Sequence, residues 1–219
     1  MTYTGILARF LIFSSRDRII LMSLTIFSLV ILLFSVIMHE IAHGSVALQL
    51  GDNTAKNAGR LTLNPLKHID AFGTVLLPLL LVLIRSPFVI GWAKPVPVNP
   101  YNFRDQRWGA LKVSIAGPAT NFLIAIIFGL AIRFLPLPET FKYLFSLIVI
   151  YNFVLALFNL IPIPPFDGSH ILFSFLPTRF NNLKLFLHQY GLYLLLALMF
   201  LGALDLVFQT ASFLYYLII

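Results

Sequence analysis

The sequence predicts an all-α polytopic membrane protein: one integral domain over residues 1–219, with about four to six transmembrane helices. A re-entrant or extended segment is expected between the first span and the next full one. Three observations carry this. Hydrophobic residues make up 59% of the chain and charged residues 11%, where a soluble domain carries roughly 25% charge. Apolar runs near the spanning length of about 20 residues recur along the chain and leave no stretch for a sizeable soluble domain. Clusters of charge, proline and glycine mark the breaks between runs.

Taken in order, Met1–Ser15 is too short to span and carries Arg9, so it reads as an interfacial lead-in. No small-residue cleavage site follows its apolar stretch, which argues against a cleavable signal peptide. The first long run extends from Ile19 to about Leu50, more than a bilayer requires, and Gly51-Asp52-Asn53 supplies its stop. A second run, Ile69 to Ile90, contains Pro78 and is cut near its end by Arg85, Ser86 and Pro87. A third covers about Leu111 to Phe134 and a fourth about Phe141 to Ile161. The last, Leu183 to Ile219, holds Asp205 and reads equally as one long tilted helix or two short ones. There is no internal repeat.

Fifteen Lys and Arg against eight acids give a net charge of +7. The basic residues stand singly between apolar runs, a spacing that orients loops against a lipid bilayer and argues against a nucleic-acid partner. With no cysteine, disulfides, thiol catalysis and thiolate metal sites are excluded. Any metal must be held by His and carboxylate.

The chemistry begins near the end of the first run, in Met38-His39-Glu40-Ile41-Ala42-His43-Gly44. His39 and His43, four residues apart, lie on one helix face one turn apart and can reach a single zinc ion. Glu40 can reach a water on that metal and act as its general base. A glutamate at membrane depth costs a few kcal/mol unless partnered, so ionisable residues there are functional by default and chance is a poor explanation. A catalytic zinc commonly takes three protein ligands, which leaves one to find among His68, Asp70, Glu139, Asp167, His170, His188 and Asp205. Asp167 stands out, because Pro162, Pro164 and Pro165 break the helix before it and Gly168 permits a tight bend after it. A helix-ending turn with Asp as an N-cap accounts for the same residues.

HEIAH in a hydrophobic helix, Gly117-Pro118-Ala119-Thr120-Asn121 opening a later one, and Asn159 through Gly168 together resemble the site-2 protease family of intramembrane zinc metalloproteases. Gly59-Arg60-Leu61-Thr62-Leu63-Asn64-Pro65 and Gly91 through Pro100 resemble its compact prokaryotic branch, so the likeness covers about residues 30–180. The resemblance implies His39, His43 and Asp167 as ligands of one zinc per chain and Glu40 as the catalytic carboxylate. It also implies that Asn159 hydrogen-bonds the scissile carbonyl or its oxyanion. No PDZ or CBS module is recognisable, so selection of substrates by such a module is not expected. Substrates would be single-span membrane proteins, and the setting a prokaryotic inner membrane.

A shared metal constrains topology. If the run from Ile69 to Ile90 crossed fully, the third and fourth runs would deliver Asp167 to the membrane face opposite the histidines. That segment is therefore expected to enter and return on one face. Lys56, Arg60, Lys67, Arg85, Lys94, Arg104, Arg107, Lys112, Arg179 and Lys184 then lie on the site's side, against Arg9, Arg16, Arg18, Arg133 and Lys142 on the other. Ten against five makes the site's side cytoplasmic.

Three further residues are site candidates with ordinary alternatives. Asn121 would support the metal site through hydrogen bonds or satisfy helix contacts. His68 would meet site or substrate, or be an interfacial histidine beside a capping Asp70. His170 would orient a ligand or face a loop. Pro95 and Pro97 enforce extended backbone over Lys94–Asn99, which is either an edge for an unwound substrate or a stiffened loop. Two rival functions remain: another membrane HExxH metallohydrolase acting on exposed segments, and a non-catalytic membrane homologue.

Overall fold

A computed structural model describes residues 15–84, 91 and 93–219. The expected lead-in at Met1–Ser15 and the break at Arg85, Ser86 and Pro87 fall almost wholly outside them. Eight α-helices are described: α1 Ser15–Gln49, α2 Thr54–Asn57, α3 Leu77–Leu83, α4 Gly109–Phe134, α5 Glu139–Asn159, α6 Asp167–Phe175, α7 Asn181–Phe200 and α8 Ala203–Ile218. Among the described residues there is no strand. Four helical stretches are long and apolar enough to cross a membrane: Met22–Gln49, Gly109–Phe134, Glu139–Asn159 and Thr178–Phe200. The all-α polytopic architecture follows.

The α1 helix stops where the sequence says it should. Gly51 takes a positive φ of 108°, its N–H returns to Leu48 O at 3.0 Å, and the Asp52 N–H returns to Ala47 O at 2.9 Å. This is the Schellman closure, which needs a residue free of a Cβ penalty at that position. The Asp52 carboxylate then gathers the next loops, accepting from the Asn99 N–H at 2.7 Å and from Asn102 Nδ2 at 2.8 Å.

The described part of the second run does not cross. Asp70 caps it by accepting from the N–H groups of Phe72 and Gly73. A π-wound turn, Ala71–Leu76, leads directly into α3, and the two together fall well short of the roughly 20 residues a crossing requires. The chain also comes back to where it left: the Lys94 N–H donates to His68 O at 2.9 Å. A segment whose two ends are hydrogen-bonded to each other is an excursion from one face.

Beyond it, α4 and α5 form an antiparallel pair against α1, joined by the short turn 135–138. Their interface and α8 enclose Ala125, Val149, Phe153 and Ala211. Small residues allow this closeness: a Cβ at Gly129 would stand 2.7 Å from Ile218 Cγ2. In a bilayer such contact, rather than exclusion of apolar surface from water, holds helices together. The last run is two helices, α7 and α8, broken at Leu201–Gly202, where Gly202 takes φ 88°. Asp205 sits exposed in the first turn of α8.

Candidate metal centre

The centre lies where α1, α4 and the start of α6 converge. His39 and His43 project from α1 onto α4, and both are buried. Each ring has its Nδ1 against an acceptor: His39 against Asn121 Oδ1 at 2.6 Å and His43 against Val113 O at 2.7 Å. The Val113 carbonyl accepts only. The Asn121 amide is oriented because its Nδ2 donates to Ser35 O and to Asn152 Oδ1, which turns its oxygen toward His39. With both rings neutral, both Nδ1 atoms carry the hydrogen and both Nε2 atoms present a bare lone pair.

Those lone pairs meet a carboxylate. Nε2 of His39 and of His43 are 3.0 Å apart, and Asp167 Oδ2 lies 3.0 Å from the first and 3.2 Å from the second. No aligned hydrogen-bond donor reaches that buried oxygen among the described residues. Three acceptor atoms facing one another with no hydrogen between them would repel unless a cation sits at their centre. Ligands of a tetrahedral zinc at about 2.0–2.1 Å stand roughly 3.3 Å apart, which suits this triangle. The donor set, two imidazoles and a carboxylate, fits zinc as well.

Glycines make room for it. A Cβ at Gly117 would stand 2.5 Å from Nε2 of His39 and closer still to Nε2 of His43, so the Gly-Pro-Ala-Thr-Asn turn of α4 serves the pair twice, through absence at Gly117 and hydrogen bonding at Asn121. Gly168 differs from expectation. It takes no positive φ, unlike Gly51, Gly59 and Gly202, but a Cβ there would run into the carbonyls of Leu160 and Ile161. Its smallness brings α6 against the end of α5 and so presents Asp167.

A cavity of about 360 Å³ opens over the triangle, and Glu40, Asn159, Val96 and His170 share its wall. Glu40 Oε2 accepts from the Val96 N–H at 2.7 Å, while Asn159 Nδ2 donates to Leu155 O at 2.9 Å. His170, one turn beyond Asp167, is exposed to this space. His68 is elsewhere: fully buried, with Nε2 against Thr62 O at 2.9 Å. Asn152 and Ser35, which complete the buried amide chain behind Asn121, escaped sequence reasoning. The available signal was an asparagine isolated in the apolar run of α5, since polar groups at membrane depth are retained for cause.

An HExxH helix and a carboxylate from a proline-broken turn, assembled inside a polytopic helical protein, define a membrane metalloprotease. The model of Peptidase family M50 matches residues 136–202. The chain is 38% identical over 186 residues, 81% of each chain, to "Putative zinc metalloprotease YwhC" of Bacillus subtilis (strain 168). It is 29% identical over 175 residues, 79% of this chain and 66% of the other, to "Putative zinc metalloprotease Rip2" of Mycolicibacterium smegmatis. A shorter match, 31% over 91 residues, reaches "Zinc metalloprotease MJ0392" of Methanocaldococcus jannaschii, covering 41% of this chain and 27% of that one. No solved structure matches. The chain belongs to peptidase family M50, the site-2 protease family, and is a zinc metalloendopeptidase of the membrane.

Proposed function

We propose that this protein is an intramembrane endopeptidase that hydrolyses peptide bonds in or near the transmembrane helices of single-span proteins. His39, His43 and Asp167 hold one zinc ion per chain. Such an ion, when bound, acidifies a water and polarises the scissile carbonyl. Glu40 takes the proton of that water and returns it to the leaving amine. Asn159 holds the carbonyl oxygen as charge develops on it, and His170 faces the bound peptide from the cavity wall. A helical substrate hides its peptide bonds in its own hydrogen bonds and must unwind first. The extended Lys94–Asn99 segment beside the site offers a surface for the unwound chain. With ten of the fifteen basic residues on the site's side, that side is the cytoplasmic one of a prokaryotic inner membrane.

The observation that carries this reading is the triangle of lone pairs, 3.0–3.2 Å on a side, beneath a cavity that also holds a glutamate. It is tested by metal analysis and cleavage of a model transmembrane peptide in detergent. Wild type is expected to bind one zinc and cleave. Glu40→Gln should keep the metal and lose activity by about 10³-fold or more, and Asp167→Ala should lose both. An Asp167→Ala variant that kept zinc and activity would overturn the ligand set.

A further inference from the structure

The geometry points to Arg60 as a positioning residue for Glu40, acting through the extended backbone at 94–96. This rests on the reading of Glu40 as general base and adds how that carboxylate is held. Arg60 is buried and meets no carboxylate among the described residues; its guanidinium instead spans three carbonyls. Nη2 donates to Lys94 O at 2.8 Å and Pro95 O at 3.1 Å, and Nη1 donates to Lys67 O. These oxygens belong to the two ends of the re-entrant segment. The Lys94 N–H to His68 O bond ties the same ends. One residue beyond Pro95, the Val96 N–H bonds Glu40 Oε2.

A buried cation is an expensive way to secure a loop, because its desolvation is repaid only by several well-placed acceptors. What guanidinium offers over a neutral donor is a planar fork of five N–H groups that fixes direction as well as distance. Here direction is what Glu40 needs. The prolines at 95 and 97 have no N–H, so Val96 carries the only amide in that triplet able to face α1. The Val96 bond commits Oε2 and leaves Oε1 for the water. Arg60 is itself aimed by a second Schellman turn: Gly59 takes φ 62° and the Arg60 N–H returns to Ala55 O at 3.0 Å. Close approach of the segment is permitted by Gly44, one turn beyond Glu40, where a Cβ would stand 2.6 Å from Leu61 Cδ2 and 2.8 Å from Val96 Cγ1.

The test compares wild type, Arg60→Gln, Val96→Pro and the double variant in full-length protein, measuring zinc content, kcat and KM on a model transmembrane peptide. Arg60→Gln removes the fork and keeps a donor. Val96→Pro removes the N–H and exchanges the buried valine side chain for a proline ring, in backbone flanked by proline on both sides. Each single variant is expected to keep its zinc and to lose kcat by about 10- to 100-fold, as misplacement of a catalytic group does, with KM changing by a smaller factor than kcat. The double variant should be no slower than the slower single, since both break one linkage. Unchanged kcat in either variant, multiplicative losses in the double, or loss of zinc would overturn the proposal. If Arg60→Gln does not fold, Arg60→Lys, which keeps the charge and loses the planar fork, decides by the same criterion of kcat against KM. Retained activity in Glu40→Gln would instead remove the general-base reading, a separate failure.

Discussion

Gly117 is the residue whose replacement should speak most directly. Alanine is a better helix former than glycine by roughly 1 kcal/mol, so Gly117→Ala ought to favour α4. The added methyl, however, falls on Nε2 of both histidines, and crowding of that kind costs about 1–3 kcal/mol in a packed interior. The cost falls on the metal-competent arrangement of the rings. The expected outcome is unchanged helical content by circular dichroism with zinc affinity reduced by about tenfold or more. A Gly117→Ala protein with wild-type zinc affinity would mean that α4 does not press on the pair. The same scale shows what sequence can and cannot reveal about the centre. His39, Glu40 and His43 are legible because a fixed helical period places them. Gly117 was legible only as part of a family pattern, since the atoms it avoids lie more than 70 residues away. Arg60 was hidden for a similar reason: its acceptors at 67, 94 and 95 are carbonyls, which every residue possesses and no spacing advertises.

At the scale of elements, the junction after α1 joins a span to the loops that cover the site, and Asp52 is its knot. Burial pushes the Asp52 carboxyl up. The Asn99 N–H, the Thr54 hydroxyl, the Asn102 amide and the Thr54 N–H outweigh that and hold it below the ordinary aspartate value. A carboxylate depressed in the folded state contributes stability that is fully present above its unfolded pKa, near 4, and is lost as pH falls through the folded value. The protein should therefore lose stability in acid below about pH 4. Asp52→Asn should flatten part of that limb and, at neutral pH, cost about 1–3 kcal/mol, because an amide cannot accept the same set of donors. Thermal unfolding in detergent at pH 7 and at pH 3.5 measures both effects; equal pH dependence in the two proteins would remove Asp52 from this role. The stop at Gly51 and the return of the chain to His68 at Lys94 were legible from breakers and from the expectation that three ligands would share one depth. The reason the excursion holds its shape was not, because its ends meet through backbone groups.

At the scale of the molecule, the path of the chain after the site has one direction that length and hydropathy do not supply. Thr178–Phe200 is long and apolar enough to cross, and a crossing there would start α8 on the face opposite the centre. The contacts of α8 deny this. Ile218 O accepts from Arg133 Nη1 at 3.1 Å, and Tyr215 bonds Ser146 through its hydroxyl at 2.7 Å, so α8 ends beside the α4–α5 turn, the far end from Asp167. Its sixteen residues rise about 24 Å, which puts Ala203 back toward the depth of the centre. Helix α7 agrees: Lys184 Nζ reaches the carbonyls of Phe173 and Leu176, and Gly191, at mid-helix, packs on Pro164. The α7 helix thus begins and ends on the side of the site, and α8 runs from that side toward the α4–α5 turn. The absence of cysteine makes this easy to examine by single-cysteine labelling in sealed vesicles with an impermeant maleimide. Lys56→Cys and Leu201→Cys are expected to react from one face and Leu137→Cys from the other. Labelling of Leu201→Cys together with Leu137→Cys would show that α7 crosses, and would require α8 to pack on α5 in the opposite sense from the Tyr215–Ser146 bond.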